Sequence, residues 1–272
     1  MLILDGNTID QLNLGSQKIG RAYLGDQLVY AALEQLLFLN GQSGLLYRVE
    51  PQYLYQDEAG TTPVTGSGDP VALIRDAGPN GLDGIVRGGT ATYQVDSNGA
   101  GFLELSGQSI EAGSGTDLQL GRPQFCIGME TSDSIGGGSH WAIFRARSGG
   151  FDDAALSIYE SSDDYVSLSY SSLLSSDDQL NGVPARRVMG ADPDSNVIWT
   201  TGFDDRTGAF SDGEIDYPAS ADSYPLIIGS RQNAYETWPG RFYGAIYGEE
   251  FGAALIQRYR QHLTSLMQLS SL

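Results

Sequence analysis

The chain is 272 residues long, 40% hydrophobic and 18% charged, and its 15 Lys and Arg against 34 Asp and Glu give a formal net charge of -19. That balance repels a nucleic-acid backbone over most of the surface, while the apolar content suits a packed core and neither a membrane protein nor a disordered chain. With 36 Gly and 15 Tyr the composition is that of a turn-rich chain of strands, long enough for one large β domain and a small appendage.

The first thirty residues repeat every ten: Leu4-Asp5-Gly6-Asn7-Thr8-Ile9, Leu14-Gly15-Ser16-Gln17-Lys18-Ile19, and Leu24-Gly25-Asp26-Gln27-Leu28-Val29. A Gly-containing polar pair between apolar residues predicts short strands joined by tight turns. A segment this short buries too little to stand alone. Residues 1–35 are therefore expected to form a β docking module in which Leu14, Ile19, Tyr23, Leu24, Leu28 and Val29 meet another subunit; an extra layer on the main domain is the other reading. The opening Met-Leu-Ile-Leu-Asp has no basic region ahead of a long apolar run, so no secretion signal is expected. No stretch approaches the about 18 apolar residues of a membrane span.

Residues 31–39 are densely apolar and too short for periodicity to separate helix from buried strand, and they link into a main domain over 36–272. From about residue 40 to 250, short strands alternate with Gly, Ser, Asp and Pro clusters. Predicted strands lie at 101–105, 125–129, 141–144, 155–159, 166–170, 197–199, 225–228 and 242–246. Several alternate apolar with small or polar residues, which predicts two stacked sheets, each wet on one face. Cys126 is alone, so no internal disulfide forms, and its apolar strand makes it a core residue. At the end, Leu255, Ile256, Tyr259, Leu263, Leu266 and Met267 recur at helical spacing, with Arg258 and Arg260 toward the middle of the helix and expected to offset nearby acidic loops.

One segment is specific. Leu54-Tyr55-Gln56-Asp57-Glu58-Ala59-Gly60-Thr61-Thr62-Pro63-Val64-Thr65, continuing Gly68-Asp69-Pro70-Val71-Ala72-Leu73-Ile74-Arg75-Asp76, resembles the opening of a concanavalin A-like or laminin-G-like domain recurrent in bacteriophage virion proteins. The end, Pro225 to Arg231 and then Gly240 to Tyr247, is similar too, as is the N-terminal Leu-Gly repeat to modules that begin phage tail proteins. The resemblance implies an all-β, concanavalin A-like β-sandwich of the jelly-roll kind. It further implies a fibre, spike or decoration subunit of a virion, made in the host cytoplasm, with other virion proteins, further copies of itself and bacterial surface glycans as partners. On the residues alone the motif is structural punctuation: Gly60 and Gly68 permit turns and Pro63 and Pro70 fix φ.

Some concanavalin A-like proteins are glycoside hydrolases that use Glu-x-Asp-x-x-Glu, but Glu214-Ile215-Asp216-Tyr217-Pro218-Ala219 lacks the second glutamate. His140 and His262 have no evident partner, and His262 is expected at the surface. The chain is therefore expected not to be an enzyme, with no catalytic residues and no required cofactor. A polysaccharide depolymerase drawing on Asp163, Asp164 or Glu160 and a purely architectural virion protein are the alternatives. Acidic pairs at 152–153, 163–164, 177–178 and 204–205, and the run Asp192-Pro193-Asp194, are read as solvated loop ends, with calcium as the other reading; Asp76, Asn80 and Asp83 form a further candidate cation cluster. The best candidate ligand site is the loop 231–238, where Arg231, Asn233, Tyr235 and Trp238 combine hydrogen-bonding groups with aromatics, whereas Trp141 and Trp199 read as core.

Overall fold

The computed structural model describes Phe38, residues 42–112, 124–131, 186–192, 197–202, 225–230 and 239–269, and the backbone of the other strands named below. The first 31 residues hold six short strands: β1 (Leu2–Leu4), β2 (Asn7–Ile9), β3 (Leu12–Leu14), β4 (Gln17–Ile19), β5 (Arg21–Leu24) and β6 (Gln27–Ala31). They pair in sequence as three separate two-stranded antiparallel sheets, one hairpin per ten-residue unit.

The body is two large antiparallel sheets packed face to face. The first contains β7 (Gly44–Arg48), β9 (Pro70–Val71), β12 (Ala91–Val95), β13 (Gly101–Leu105), β15 (Gln124–Thr131), β20 (Arg186–Asp192), β21 (Val197–Gly202), β22 (Arg206–Gly208) and β24 (Gly240–Gly248). Their spatial order is β22-β21-β20-β15-β24-β13-β12-β9, with β7 also paired to β24. The second contains β8 (Leu54–Tyr55), β10 (Leu73–Ile74), β11 (Gly84–Arg87), β14 (Ser109–Ala112), β16 (His140–Ala146), β17 (Ala154–Glu160), β18 (Tyr165–Leu168), β19 (Ser172–Ser175) and β23 (Leu226–Ile228). They run β19-β18-β17-β16-β23-β14-β11-β10-β8. The expected all-β sandwich ending in one helix, α1 (Ala253–Leu266), is what the chain forms.

Period-two alternation sorts each strand between two cores. Phe125, Ile127 and Met129 of β15 and Leu103 and Leu105 of β13 face inward, against Val86, Ile110, Leu226 and Ile228 of the opposite sheet. Cys126, Val188, Phe102 and Ile246 face outward, where Ile256, Tyr259 and Leu263 of α1 cover them. The first sheet is thus buried on both faces. The helix sits close because the strands beneath it carry glycine: a Cβ on Gly128 would lie 2.9 Å from the Met267 sulfur and 3.4 Å from Leu263. Phe38 joins this outer core, edge-on to Phe251 at 5.4 Å.

The specific motif acts as scaffold through its aspartates. Asp57 accepts hydrogen bonds from the Thr61 and Thr62 amides at 3.1 and 2.6 Å, and these hold its carboxyl near a pKa of about 2. Asp69 takes the Thr65 and Gly66 amides at 2.8 and 3.1 Å and is also held below the usual carboxylate range. Gly60 and Gly68 occupy positive φ, 66° and 97°, as the turns require. Arg75 covers the Tyr55 ring at 4.5 Å.

Three expectations change. The Asp76 cluster serves the backbone: its carboxylate accepts from the amides of Leu46, Gly78 and Leu82 at 2.8, 2.8 and 3.1 Å, Asp83 caps the Asp76 amide at 2.9 Å, and Asn80 donates to Gly44 at 2.7 Å. With both Asp76 oxygens so engaged, the carboxylate works as a loop clamp. Asp192 is buried rather than a solvated loop end, receiving the Gln124 amide at 2.7 Å while Gln124 accepts from the Phe251 amide at 2.8 Å. Arg260 is buried as well: its Nε donates to the Thr201 hydroxyl at 2.8 Å, and the guanidinium lies 5.6 Å from the Trp199 ring, itself in the core as expected. A side chain on the helix face that meets β21 buries its stem and finds a hydroxyl, whatever its charge.

Candidate functional site

The site grows out of a fault in strand pairing. One edge of β24 is shared by two strands: β13 pairs with its first residues, Leu105↔Gly240 through Leu103↔Phe242, and β7 with the rest, Arg48↔Gly244 through Gly44↔Gly248. Where one strand gives way to the other, the register of β24 against β15 slips, passing from Gly128↔Gly244 to Met129↔Phe242. Tyr243 is the extra residue. A bulge places two consecutive residues on one face; Tyr243 and Gly244 accordingly both lie on the outer face, under α1, while Phe242 points into the inner core.

Beyond the fault the chain after Arg48 and the turn leading into Gly101 diverge, leaving a cleft of about 330 Å³ against α1. A 3₁₀ turn at Pro51–Tyr53 shapes one lip. Gly101 is needed for the approach of the two walls, since a Cβ there would lie 2.5 Å from the Val49 carbonyl oxygen and 3.1 Å from the Tyr93 hydroxyl. Polar groups lining the space come from Arg48, Glu50, Gln52, Tyr93, Tyr243 and His262. Arg48 is ion-paired with Glu50, and Gln52 donates its amide to the same carboxylate. His262 is half-buried rather than at the surface, its ring 5.9 Å from that of Tyr259. Burial, and then the Glu50 charge, raise the pKa of Tyr93.

A charged cluster supports the cleft from behind. Glu130, 7% exposed, accepts from Arg186 Nε at 2.8 Å, Arg241 Nη1 at 3.3 Å and the Tyr243 hydroxyl at 2.9 Å. Burial and then Glu130 push the Tyr243 phenol up to about 12, so it stays protonated at neutral pH. Burial works against the charge on Arg241, but Glu130, Tyr243 and Glu104 outweigh it and raise its pKa; its guanidinium also lies 4.5 Å from the Phe102 ring. Arg186 further donates to the Met267 carbonyl at 3.1 Å, tying down the end of α1. The cluster is a latch between sheet and helix. On the helix's other flank a second groove, about 550 Å³, is lined by Thr201, Gln257, Arg260, Gln261, Thr264 and Gln268 among others.

The expected ligand residues Arg231, Asn233, Tyr235 and Trp238 lie outside the described residues, as do the segment 214–219 and the acidic pairs at 152–153, 163–164, 177–178 and 204–205. For the docking positions Leu14, Ile19, Tyr23, Leu24, Leu28 and Val29 the backbone places all six on hairpin strands. Sequence reading missed the cleft residues. Alternation along β15 carries Glu130 to the face of Cys126 and Gly128, a signal present in the sequence; the pairing fault at Tyr243 is non-local and left none. Among the described residues no group of three or more His, Cys, Asp or Glu side chains is arranged to hold a metal, and no helix is long and apolar enough to cross a membrane.

No protein-family model matches the chain, and no curated protein matches it. Solved structures do. The Trypanosoma rangeli sialidase aligns over 85% of this chain and 34% of its own, at 11% identity and a TM-score of 0.44. Domain 4 of a GH43 extracellular arabinanase from Geobacillus stearothermophilus, in complex with arabinotriose, aligns over 83% and 98%, at 11% identity and 0.42. A GH54 α-L-arabinofuranosidase aligns over 86% and 65%, at 10% identity and 0.50, and a second structure of it gives 0.51. The chain thus spans about a third of the sialidase and just under two thirds of the arabinofuranosidase. At such identity the likeness is one of fold. The likeness to the GH54 α-L-arabinofuranosidase nonetheless corrects the expectation that the chain is not an enzyme: that expectation took the missing glutamate at Ala219 as its main ground, and a chain with this fold can be a glycoside hydrolase.

Proposed function

We propose that this chain engages polysaccharide on a bacterial surface through the cleft between β7, β13 and α1, and that its N-terminal hairpins dock it, in several copies, on a phage or phage-derived particle. The observation that carries the reading is the cleft: hydroxyl, amide, carboxylate and imidazole groups converge on a cavity at the small end of the about 300–1,000 Å³ range of ligand sites, which suits one sugar ring. Arg231, Asn233, Tyr235 and Trp238, which precede β24 in the chain, are proposed from their composition alone to contact flanking sugars. Several copies on one particle turn weak single-ring contacts into firm adsorption.

The test is a glycan array probed with the assembled full-length protein, followed by the same array with Gln52→Ala and Tyr93→Phe. The reading expects binding that both substitutions weaken; a folded, oligomeric protein that binds no glycan would leave the architectural role. A second reading, cleavage of the bound polymer, is favoured by the likeness to the GH54 α-L-arabinofuranosidase. A retaining glycosidase needs two carboxyl groups about 5–5.5 Å apart. The cleft supplies one, Glu50, so a partner such as Asp163, Asp164 or Glu160 must come from elsewhere. Release of reducing ends from purified host polysaccharide tests this reading.

A further inference from the structure

We infer that the cleft selects uncharged sugar rings over acidic ones, an inference that rests on the glycan reading above and adds the class of sugar. Two observations carry it. Inside the cleft the cation and the acid that line it, Arg48 and Glu50, are already paired with each other, and Gln52 is turned to the same carboxylate. A sugar carboxylate reaching for Arg48 must displace Glu50 and then sit beside it. Two carboxylates sharing one guanidinium repel each other, and the displaced one has to be resolvated. A neutral ring meets no such cost: its hydroxyls pair with Gln52, the Tyr93 hydroxyl and His262 while its apolar edge lies on Leu266.

The second observation is long-range. The chain carries a formal net charge of -19, and a field of that sign lowers the local concentration of any polyanion before contact is made. At physiological ionic strength it decays over about 8 Å, so the effect is salt-dependent in a way the pairing inside the cleft is not.

The experiment is calorimetric titration of the full-length protein at pH 7.5 with a neutral hexose tetrasaccharide and with the tetrasaccharide of the corresponding hexuronic acid, at low salt and at about 0.3 M salt. The neutral chain is expected to bind at least about tenfold more tightly at low salt, with the gap narrowing as salt rises. Glu50→Gln, which leaves Arg48 without its acid, is expected to raise affinity for the uronate about fivefold. Equal or tighter uronate binding by the unmodified protein at low salt overturns the inference and leaves the glycan reading standing. Binding of neither sugar overturns both. Unchanged uronate affinity in a folded Glu50→Gln protein removes the pairing argument.

Discussion

Replacing Glu130 by Ala tests the latch that holds the helix to the sandwich. Glu130 accepts from three donors, Arg186 Nε, Arg241 Nη1 and the Tyr243 hydroxyl. Deleting one member of a fully buried ion pair costs about 3–5 kcal/mol, but the Arg186 and Arg241 side chains keep 29% and 36% exposure and can turn toward water. Tyr243, at 1% exposure, has no such escape; an orphaned buried hydroxyl costs about 1–3 kcal/mol. Together with partial loss of the two screened ion pairs the expected destabilisation is about 2–4 kcal/mol, which for a body of this size lowers Tm by about 4–16 °C. Urea unfolding followed by tryptophan fluorescence reads it. Tyr243→Phe alone should cost about 1 kcal/mol, and the double variant should fall short of the sum by at least about 0.5 kcal/mol because the two share one hydrogen bond. Arg186 loses its anchor in the same stroke, so limited proteolysis should cut the chain after Leu266 faster. A Glu130→Ala protein destabilised by less than about 0.5 kcal/mol would refute the latch.

Other outcomes follow from the same contacts. Gly128→Val drives a side chain into Met267 and Leu263 and is expected to cost about 1–3 kcal/mol and speed amide exchange in the helix; unchanged helix exchange contradicts the close seat assigned to it. Asp76→Ala strands three backbone amides and should cost about 2–4 kcal/mol, with calcium failing to stabilise either protein; a calcium-dependent rise in wild-type Tm lost in the variant would restore the cation reading. Asp57, whose carboxyl is held at about 2 against an ordinary 3.8, contributes stability present above pH 3.8 and lost as the pH falls through about 2. Asp57→Asn should flatten the acid limb of the stability curve in that window, and an unchanged limb shows that the Thr61 and Thr62 amides do not favour the charged form.

What the sequence made legible was local. Phe125 to Met129 was readable from apolar residues alternating with Cys and Gly, and Phe242 to Ile246 from its aromatic and apolar content beyond a turn, its alternation being broken at the bulge. The strand Arg186–Asp192 escaped because two arginines and a glycine in seven residues blur the period-two signal; in the fold Arg186 pairs with Glu130, and the Trp199 ring packs where a Gly190 Cβ would be. Arg260 was expected to offset acidic loops, and only the packing of α1 beside Thr201 shows that its flank is covered. The aspartate clamps were partly legible. Asp57 and Asp69 lie within five residues of the amides they bind, but Asp76 reaches back 30 residues to Leu46. The cleft was not legible at all, because it exists only where β13 and β7, some fifty residues apart, meet the same strand.

The most direct test of the central claim is hydrogen exchange of the full-length protein with and without a saturating neutral oligosaccharide drawn from the array. The account predicts slowed exchange at residues 49–53, 97–101 and 259–266, the three walls of the cleft. Binding that leaves all three unprotected, with any protection confined to other parts of the sandwich, would contradict it.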